Sequence, residues 1–291
     1  MRGRIVKGIA GFYYIYAEDE VVYECKAKGI FRKDKRKPMI GDYVQIDILD
    51  EDKRLGNITE LLARNNELIR PAVSNVDQAL VIFAHTQPEP NLMLLDKMLL
   101  QFLMQKVQTI ICFNKGDLAT EDEATRLGEI YSKCGCRVIF TCAASGEGIS
   151  ELKECLLGKT TCVAGPSGVG KSSIINCLQS DVKTETGVIS QKAMRGKHTT
   201  RHSEIIPVCE DTYIIDTPGF SSLNVFLDDC EELKQYYDEF LEYDTCRFTP
   251  CSHTHEPECA VKQAVSDGFI SKQRYDNYAF IYDELKNLRR Y

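Results

Sequence analysis

Gly165-Pro166-Ser167-Gly168-Val169-Gly170-Lys171-Ser172 is the stretch that decides the fold class. It fits G-x-x-x-x-G-K-[ST]. An apolar run at residues 161–164 precedes it, and Ile174-Ile175-Asn176-Cys177-Leu178 follows as a helix start. A strand passing into a helix through such a turn is the setting the motif requires. Glycines let successive backbone N–H groups curl around phosphate oxygens. The helix start adds favourable partial charge. On this reading Gly165, Pro166, Ser167, Gly168, Val169, Gly170, Lys171, Ser172 and Ser173 hold phosphate. Lys171 reaches the β and γ phosphates, and the Ser172 hydroxyl ligates Mg²⁺.

Outward from the loop, further apolar runs occupy residues 79–84, 109–113, 138–140 and 213–215. Segments of helical length, such as 92–105 and 120–133, separate them. That alternation predicts a buried parallel sheet built from βαβ units. Residues 1–65 differ. Val44, Ile46 and Ile48 alternate with Gln45, Asp47 and Leu49, between turn-rich stretches at 38–42 and 50–53. Several short strands without a helical period predict a small closed barrel of the oligonucleotide-binding type. After residue 224 the strand pattern stops. Residues 227–243 and 272–290 read as helices around a Cys/His-rich loop.

Four elements sit at the C-terminal ends of the expected strands, the edge along which open α/β sheets bind ligands. Besides the phosphate loop, Asn114-Lys115-Gly116-Asp117 follows the run at 109–113 and resembles the guanine-reading N-K-x-D of GTPases. Asp117 as carboxylate accepts from N1–H and the exocyclic amine of guanine, donors that adenine lacks there. Cys142-Ala143 falls where GTPases carry a Ser-Ala pair whose backbone N–H backs the guanine O6. Asp216-Thr217-Pro218-Gly219 resembles D-x-x-G: Asp216 holds Mg²⁺ through water and the Gly219 N–H senses the γ-phosphate. Thr199 and Thr200 lie between the phosphate loop and Asp216, and either supplies a switch hydroxyl to Mg²⁺. The order is unusual, because the base-reading elements precede the phosphate loop. The chain reads as circularly permuted, which preserves a site built from spatial neighbours. Where many GTPases place a water-orienting Gln after D-x-x-G, this chain has Phe220. Slow intrinsic hydrolysis is expected, with His198 the internal candidate to orient water.

The 291 residues carry 36 Lys and Arg against 43 Asp and Glu, a net charge of −7. Composition excludes a disordered or collagen-like chain and a strongly basic nucleic-acid binder, though not a local basic face. Residues 1–65 hold 13 Lys and Arg against 11 Asp and Glu, so their net is +2 and the remainder carries −9. The densest basic run, Arg32-Lys33-Asp34-Lys35-Arg36-Lys37, reads equally as a solvated loop or a nucleic-acid contact. No membrane span or signal peptide is expected.

The 13 cysteines are odd in number and scattered, which fits reduced thiols with metal better than a disulfide framework. Cys246, Cys251, His253 and Cys259 form C-x₄-C-x-H-x₅-C, three thiolates and an imidazole for a closed tetrahedral Zn²⁺ site. His255 competes with His253 for the fourth place. Cys134 and Cys136 lack metal spacing to other ligands and read as small core residues.

With these residues in hand, the chain resembles the circularly permuted ribosome small-subunit-dependent GTPases, the RsgA/YjeQ/YloQ family. The resemblance runs over nearly the full length. It is carried by Asn75-Val76-Asp77-Gln78-Ala79, Asn114-Lys115-Gly116-Asp117, Gly146-Glu147-Gly148 and residues 165–173. It continues through His198-Thr199-Thr200, Asp216-Thr217-Pro218-Gly219 with Phe220, and residues 246–261. Cys142 replaces a usual Ser, Ala144 a usual Lys and Arg201 a frequent Thr; the first two bear on guanine affinity. The resemblance implies a multi-domain chain. An RNA-binding β-barrel (OB-fold) spans 1–66, a circularly permuted α/β P-loop GTPase domain 67–226, and a mostly helical zinc domain 227–291. It favours His253 over His255. It implies a GTP hydrolase that acts in late maturation of the small (30S) ribosomal subunit, is stimulated by that subunit and leaves on hydrolysis. Expected cofactors are one structural Zn²⁺ and Mg²⁺ with GTP. The expected Mg²⁺ set is Ser172, Thr200 and Asp216, and the expected catalytic group is His198 with Thr199 and Thr200. Expected partners are GTP, GDP and the small subunit with its rRNA, with no DNA and no membrane, for a cytoplasmic monomer.

If Asp117 reads the base, Asp117→Asn shifts preference from guanine to xanthine nucleotides. Guanine affinity falls about tenfold or more, the loss expected for a buried pairing of about 1–3 kcal/mol. Competition between GDP and XDP on the variant checks this.

Overall fold

The structure, a computed structural model, describes residues 1–27, 37–180, 203–209, 211–217 and 223–288. The chain forms two compact units. The first comprises Met1–Ala79, Leu152–Ala164 and Ile174–Gly219, and the second Leu80–Glu151, Gly165–Ser173 and Phe220–Tyr291.

The first unit opens with the expected barrel. Its strands are β1 (Arg2–Ile9), β2 (Phe12–Ala17), β3 (Val22–Ala27), β4 (Tyr43–Asp50) and β5 (Leu55–Leu61). They run in the order β1-β2-β3-β5-β4, and β1 pairs with β4 to close the barrel. Closure leaves no long unpaired edge. The pairs are antiparallel except β3 with β5. The alternation in β4 works as read: Val44 and Ile46 are buried, while Asp47 and Leu49 face solvent. Ile5, Ile15, Tyr23, Cys25 and Ile58 complete the barrel core. Just beyond, Arg64 grips both carboxylate oxygens of buried Asp42 at 2.6 and 2.7 Å, a two-pronged fit that suits a guanidinium. Asp42 also accepts from Ser74 Oγ at 2.7 Å. This ties the barrel to the small hairpin β6 (Glu67–Leu68) and β7 (Val73–Ser74).

The apolar runs become strands. In order come β8 (Gln78–Ala84), α1 (Leu92–Leu103), β9 (Gln108–Asn114), α2 (Glu121–Tyr131), β10 (Arg137–Phe140) and α3 (Ile149–Leu156). They are followed by β11 (Thr160–Ala164), α4 (Lys171–Ser180), β12 (Glu204–Cys209) and β13 (Thr212–Asp216). Every residue of β8 and β11 is buried, as continuous apolar strands require. In the second unit β8, β9 and β10 lie side by side, with β9 and β10 parallel. In the first, β11 and β13 are parallel. Capping sets the helix starts. Asn91 accepts from the Leu94 N–H at 3.0 Å to begin α1. Thr120 and Glu123 form a reciprocal capping box at the start of α2.

Two differences from the expectation are informative. The sheet is not wholly parallel: β12 runs antiparallel to β13 and meets β1 at Lys7–Glu204. Its Pro207 lies past that meeting point, where a missing N–H costs no ladder bond. The expected helix at 227–243 is instead a 3-10 stretch (Cys230–Tyr236) and a single turn, α5 (Asp238–Leu241). Tyr237 leaves helical backbone between them at φ −116° and ψ 86°. Its ring is fully buried against Phe240 and Tyr278, at 5.2 and 5.0 Å between centroids. Packing of a large aromatic overrides a helical spacing that both arrangements satisfy.

The C-terminal part continues with α6 (Ala260–Ser266) and α7 (Lys272–Leu288). Arg274 of α7 and Asp96 of α1 meet at 2.5 Å, both buried. Arg274 also donates to Glu239 Oε1 at 2.7 Å, and its guanidinium lies 4.5 Å from the Tyr237 ring centre. Tyr131 and Asn277 donate to the two oxygens of Asp96 at 3.0 and 2.6 Å. Burial works against the Arg274 charge, but Asp96 and Glu239 prevail and hold its pKa well above the ordinary value. No helix among the described residues is long and apolar enough to cross a membrane.

Arg274→Met strands two buried carboxylates. Breaking a buried pair from one side costs about 3–5 kcal/mol. Urea unfolding followed by far-ultraviolet circular dichroism, suited to a chain without Trp, is expected to show a loss of that size.

Candidate functional site

The site in the second unit is built on the ends of β9 and β10 and on the phosphate loop. Asn114 is the last residue of β9 and almost wholly buried. Its Nδ2 donates to the Val169 carbonyl of the phosphate loop at 2.9 Å. Its Oδ1 accepts from Thr141 Oγ1 at 3.2 Å and from the Ala143 N–H at 3.1 Å. One amide thus joins three segments far apart in sequence. Lys115 follows with a left-handed backbone (φ 68°), which turns the chain so that Gly116 and Asp117 enter a 3-10 turn. The Gly116 N–H donates to the Thr141 carbonyl at 3.1 Å. Lys115 Nζ bonds the Gln87 carbonyl.

Asp117 Oδ1 accepts from the Cys142 thiol at 3.2 Å. Sequence reasoning assigns Cys142 only a backbone role, yet its side chain touches the carboxylate expected to read the base. It also misses Thr141, whose one signal is a polar residue closing an apolar run. His85 is missed as well. It is buried, stacks on Phe140 at 5.2 Å and faces the Asn114 carbonyl through Nδ1 at 3.2 Å. Burial lowers its pKa, so the ring behind the loop is neutral near pH 7.

Two glycines of the phosphate loop are sterically required. A Cβ on Gly170 would lie 2.3 Å from Asn114 Nδ2, and one on Gly165 would lie 2.2 Å from the Ile82 carbonyl oxygen. Both also have positive φ. Val169 is buried, while Ser167, Gly168, Ser172 and Ser173 are open to solvent. Pro166 and Gly170 are half-buried. Lys171 Nζ donates to the Gly165 and Pro166 carbonyls at 2.9 and 2.6 Å, folded back over the loop.

In the first unit, Asp216 ends β13 and is buried, beside Val163 of β11 in register. Thr217 donates to the Val163 carbonyl at 2.7 Å, fixing the exit of that strand. His198, Thr199, Thr200, Gly219 and Phe220 lie outside the described residues, as does the basic run up to Arg36.

The Cys/His loop gathers as expected. The ligand atoms of Cys246, Cys251, His253 and Cys259 all lie within 4.8 Å of one another. Cys246 Sγ and Cys259 Sγ are 3.7 Å apart, and His253 Nδ1 is 3.5 and 3.4 Å from them. Zn–S near 2.3 Å and Zn–N near 2.0 Å in a tetrahedron give edges of about 3.8 and about 3.5 Å. The four residues fit a zinc ion in size and chemistry. His255 is exposed and turned to Asp283 at 3.7 Å, so it is not part of the cluster. Tyr275 and Tyr278 of α7 donate to the His253 and Ser252 carbonyls at 2.9 and 2.6 Å, bracing the loop. Burial lowers the His253 pKa, which leaves its imidazole neutral as a ligand must be.

The sequence model for the RsgA GTPase matches residues 61–226, more than half of the chain. The chain belongs to the RsgA GTPase family. The RsgA N-terminal domain matches residues 2–58, the barrel. A protein of Agathobacter rectalis named small ribosomal subunit biogenesis GTPase RsgA is 57% identical over the whole of both chains. One of the same name from Caldanaerobacter subterraneus is 45% identical, covering 98% of this chain and 96% of its own. Among solved structures, YjeQ from Thermotoga maritima aligns over 98% of both chains with a TM-score of 0.79 and 35% identity. YloQ, described as a circularly permuted GTPase, aligns over 98% of this chain and 95% of its own, with a TM-score of 0.75 and 35% identity. The permuted RsgA order inferred from the motifs is therefore that of the family.

On the expectation of one zinc at this cluster, Cys251→Ser, at a buried member of it, lowers metal content below one equivalent and depresses the thermal unfolding temperature. His255→Ala should leave metal content intact. Metal analysis and thermal unfolding under reducing conditions check both.

Proposed function

We propose that this RsgA-family GTPase binds the small ribosomal subunit, acts in its late maturation, and hydrolyses GTP to GDP and phosphate under stimulation by the subunit. The observation that supports the nucleotide reading best is the Asn114 bridge. A single buried amide holds the phosphate loop through Val169 and the base-reading strand ends through Thr141 and Ala143. Base recognition and phosphate binding are thereby set at one fixed spacing, which pre-organises the site for a whole nucleotide. Asp117, polarised by Cys142, accepts from guanine, with Asn114, Lys115 and Ala143 lining the base. Backbone N–H groups of residues 165–173 and the Lys171 ammonium hold the phosphates once Lys171 leaves its carbonyl partners. Ser172, Thr200 and Asp216 would hold Mg²⁺, which when bound neutralises charge on the β and γ phosphates.

The reaction consumes water and releases phosphate. Phe220 cannot orient that water, so His198, with Thr199 or Thr200, is assigned to position it, and the subunit supplies the arrangement that makes turnover fast. One zinc at Cys246, Cys251, His253 and Cys259 serves as a structural ion. The domain division that goes with this reading is a barrel at 1–66, a permuted GTPase domain at 67–226 and a zinc domain at 227–291. Partners are GTP, GDP and the subunit with its rRNA, and the acting form is a monomer.

Turnover is measured with isolated small subunits, with large subunits and with free RNA. Multiple turnover stimulated by small subunits alone is expected. Equal stimulation by large subunits, or none by either, overturns the reading.

A further inference from the structure

Cys134-Gly135-Cys136 lies in the loop between α2 and β10, and neither the nucleotide site nor the Cys/His cluster uses its thiols. The chain bends at all three residues. Gly135 makes the bend with a φ of +74°, a conformation that costs glycine little. Two residues span at most about 7 Å when fully extended, and a bend shortens that, which brings the pair inside the roughly 4.4–6.8 Å between Cα atoms that a disulfide needs. The side chains turn toward each other, so that each thiol is the other's hydrogen-bond partner. Cys134 is buried, while Cys136 is half-buried and open to a small reagent.

The surroundings favour a thiolate on the pair. The bond from Cys136 lowers the Cys134 pKa against the effect of burial, and the Arg274 charge lowers it further. The same bond raises the Cys136 pKa, with burial acting in the same direction. Arg274 draws on both thiols, opposed by Glu239 at Cys134 and by Asp238 at Cys136. The thiolate is the form that attacks a disulfide. The loop also has no clearance: a Cβ on Gly135 would lie 1.9 Å from Asp238 Oδ2, so the bend rests directly on the start of α5. Two inert core cysteines need neither a glycine bend that joins their thiols nor a sulfur left half-open.

We propose that Cys134 and Cys136 form a reversible thiol–disulfide site for small-molecule disulfides such as glutathione disulfide, and that ring closure loosens the packing of Gly135 on α5. The site is independent of the proposed nucleotide function. Cys136 passes its proton across the hydrogen bond to Cys134, and its Sγ attacks one sulfur of glutathione disulfide. That S–S bond breaks, and the first glutathione leaves as a thiolate. Cys134 Sγ then attacks Cys136 Sγ, the mixed disulfide breaks, and the second glutathione leaves. Two protein thiols are oxidised to one Sγ–Sγ bond, one glutathione disulfide is reduced to two thiols, and the two protein protons balance the two glutathione thiolates. Reduced glutathione runs the sequence backwards. Sulfurs in hydrogen-bond contact must close to about 2.0 Å. In so small a ring the Gly135 backbone moves with them, and Asp238 stands against it.

The full chain is equilibrated across a series of reduced-to-oxidised glutathione ratios, quenched with acid and cut with trypsin. Lys133 and Arg137 bound the fragment 134–137, which holds both thiols and no other cysteine, so the Cys/His cluster does not enter the reading. Wild type is expected to yield this fragment lighter by two hydrogens as the ratio turns oxidising, and reduced glutathione is expected to restore it. Cys134→Ser is expected to lose the internal bond and to keep a glutathione adduct on Cys136. Cys136→Ser is expected to lose both, because Cys134 alone is buried. Circular dichroism checks that the variants fold, and if either does not, the wild-type fragment decides. Hydrogen exchange over residues 238–241 is expected to be faster in oxidised than in reduced wild type. A wild-type fragment that stays reduced in glutathione disulfide alone, or that keeps an adduct without closing the ring, overturns the proposal. So does equal exchange over residues 238–241 in the two forms.

Discussion

The Asp96–Arg274 pair is the constraint on which the second unit depends. Its two charges sit on helices 178 residues apart in sequence and are removed from water together. Desolvation of that kind is tolerated only when the remaining bonds are made. Here Tyr131 and Asn277 complete Asp96, while Glu239 and the Tyr237 ring complete Arg274. The contributors come from four places: α1, α2, the segment of Tyr237 with α5, and α7. An arrangement that satisfies all of them leaves little freedom in how the C-terminal helices dock. The apolar cluster around Leu233, Phe240, Tyr278 and Ile281 supplies the driving force, and the buried charges select one geometry for it.

That docking bears on the site. The Cys/His cluster is braced from α7 through Tyr275 and Tyr278, and α7 is held to α1 through Arg274. Residues 165–173 and the Asn114 turn belong to the same compact unit as this C-terminal module. The permuted order has a mechanical consequence here. In the usual order the segment after D-x-x-G continues into the rest of the nucleotide fold. In this chain it runs into the module that carries the Cys/His cluster. The D-x-x-G motif is therefore joined by a short stretch of chain to a module held together by buried ion pairs.

The parts of this architecture that were legible in the sequence are those set by local chemistry. Continuous apolar runs announced β8, β9 and β11, and alternation announced β4. The phosphate loop, the Asn114 turn and the Cys/His loop are short motifs whose residues do their work close to where they stand. What escaped is long-range. Asp96 and Arg274 read as ordinary helical polar residues until the fold brings them together. The thiol of Cys142 and the hydroxyl of Thr141 gain meaning only beside Asp117 and Asn114. β12 escaped because Pro207 interrupts its pattern, and Tyr237 broke an expected helix for the sake of its ring. The switch residues, His198 among them, lie outside the described residues, so their spacing remains a matter of sequence.

The charge balance shows why whole-chain arithmetic misleads about partners. A net of −7 argues against a polyanion only if charge is spread evenly, and it is not: residues 1–65 are positive. Screening limits the reach of charge to about 10 Å at moderate salt, so acidic residues farther off than that weigh little on the potential at the barrel surface. What counts there is the local balance, 13 Lys and Arg against 11 Asp and Glu over residues 1–65.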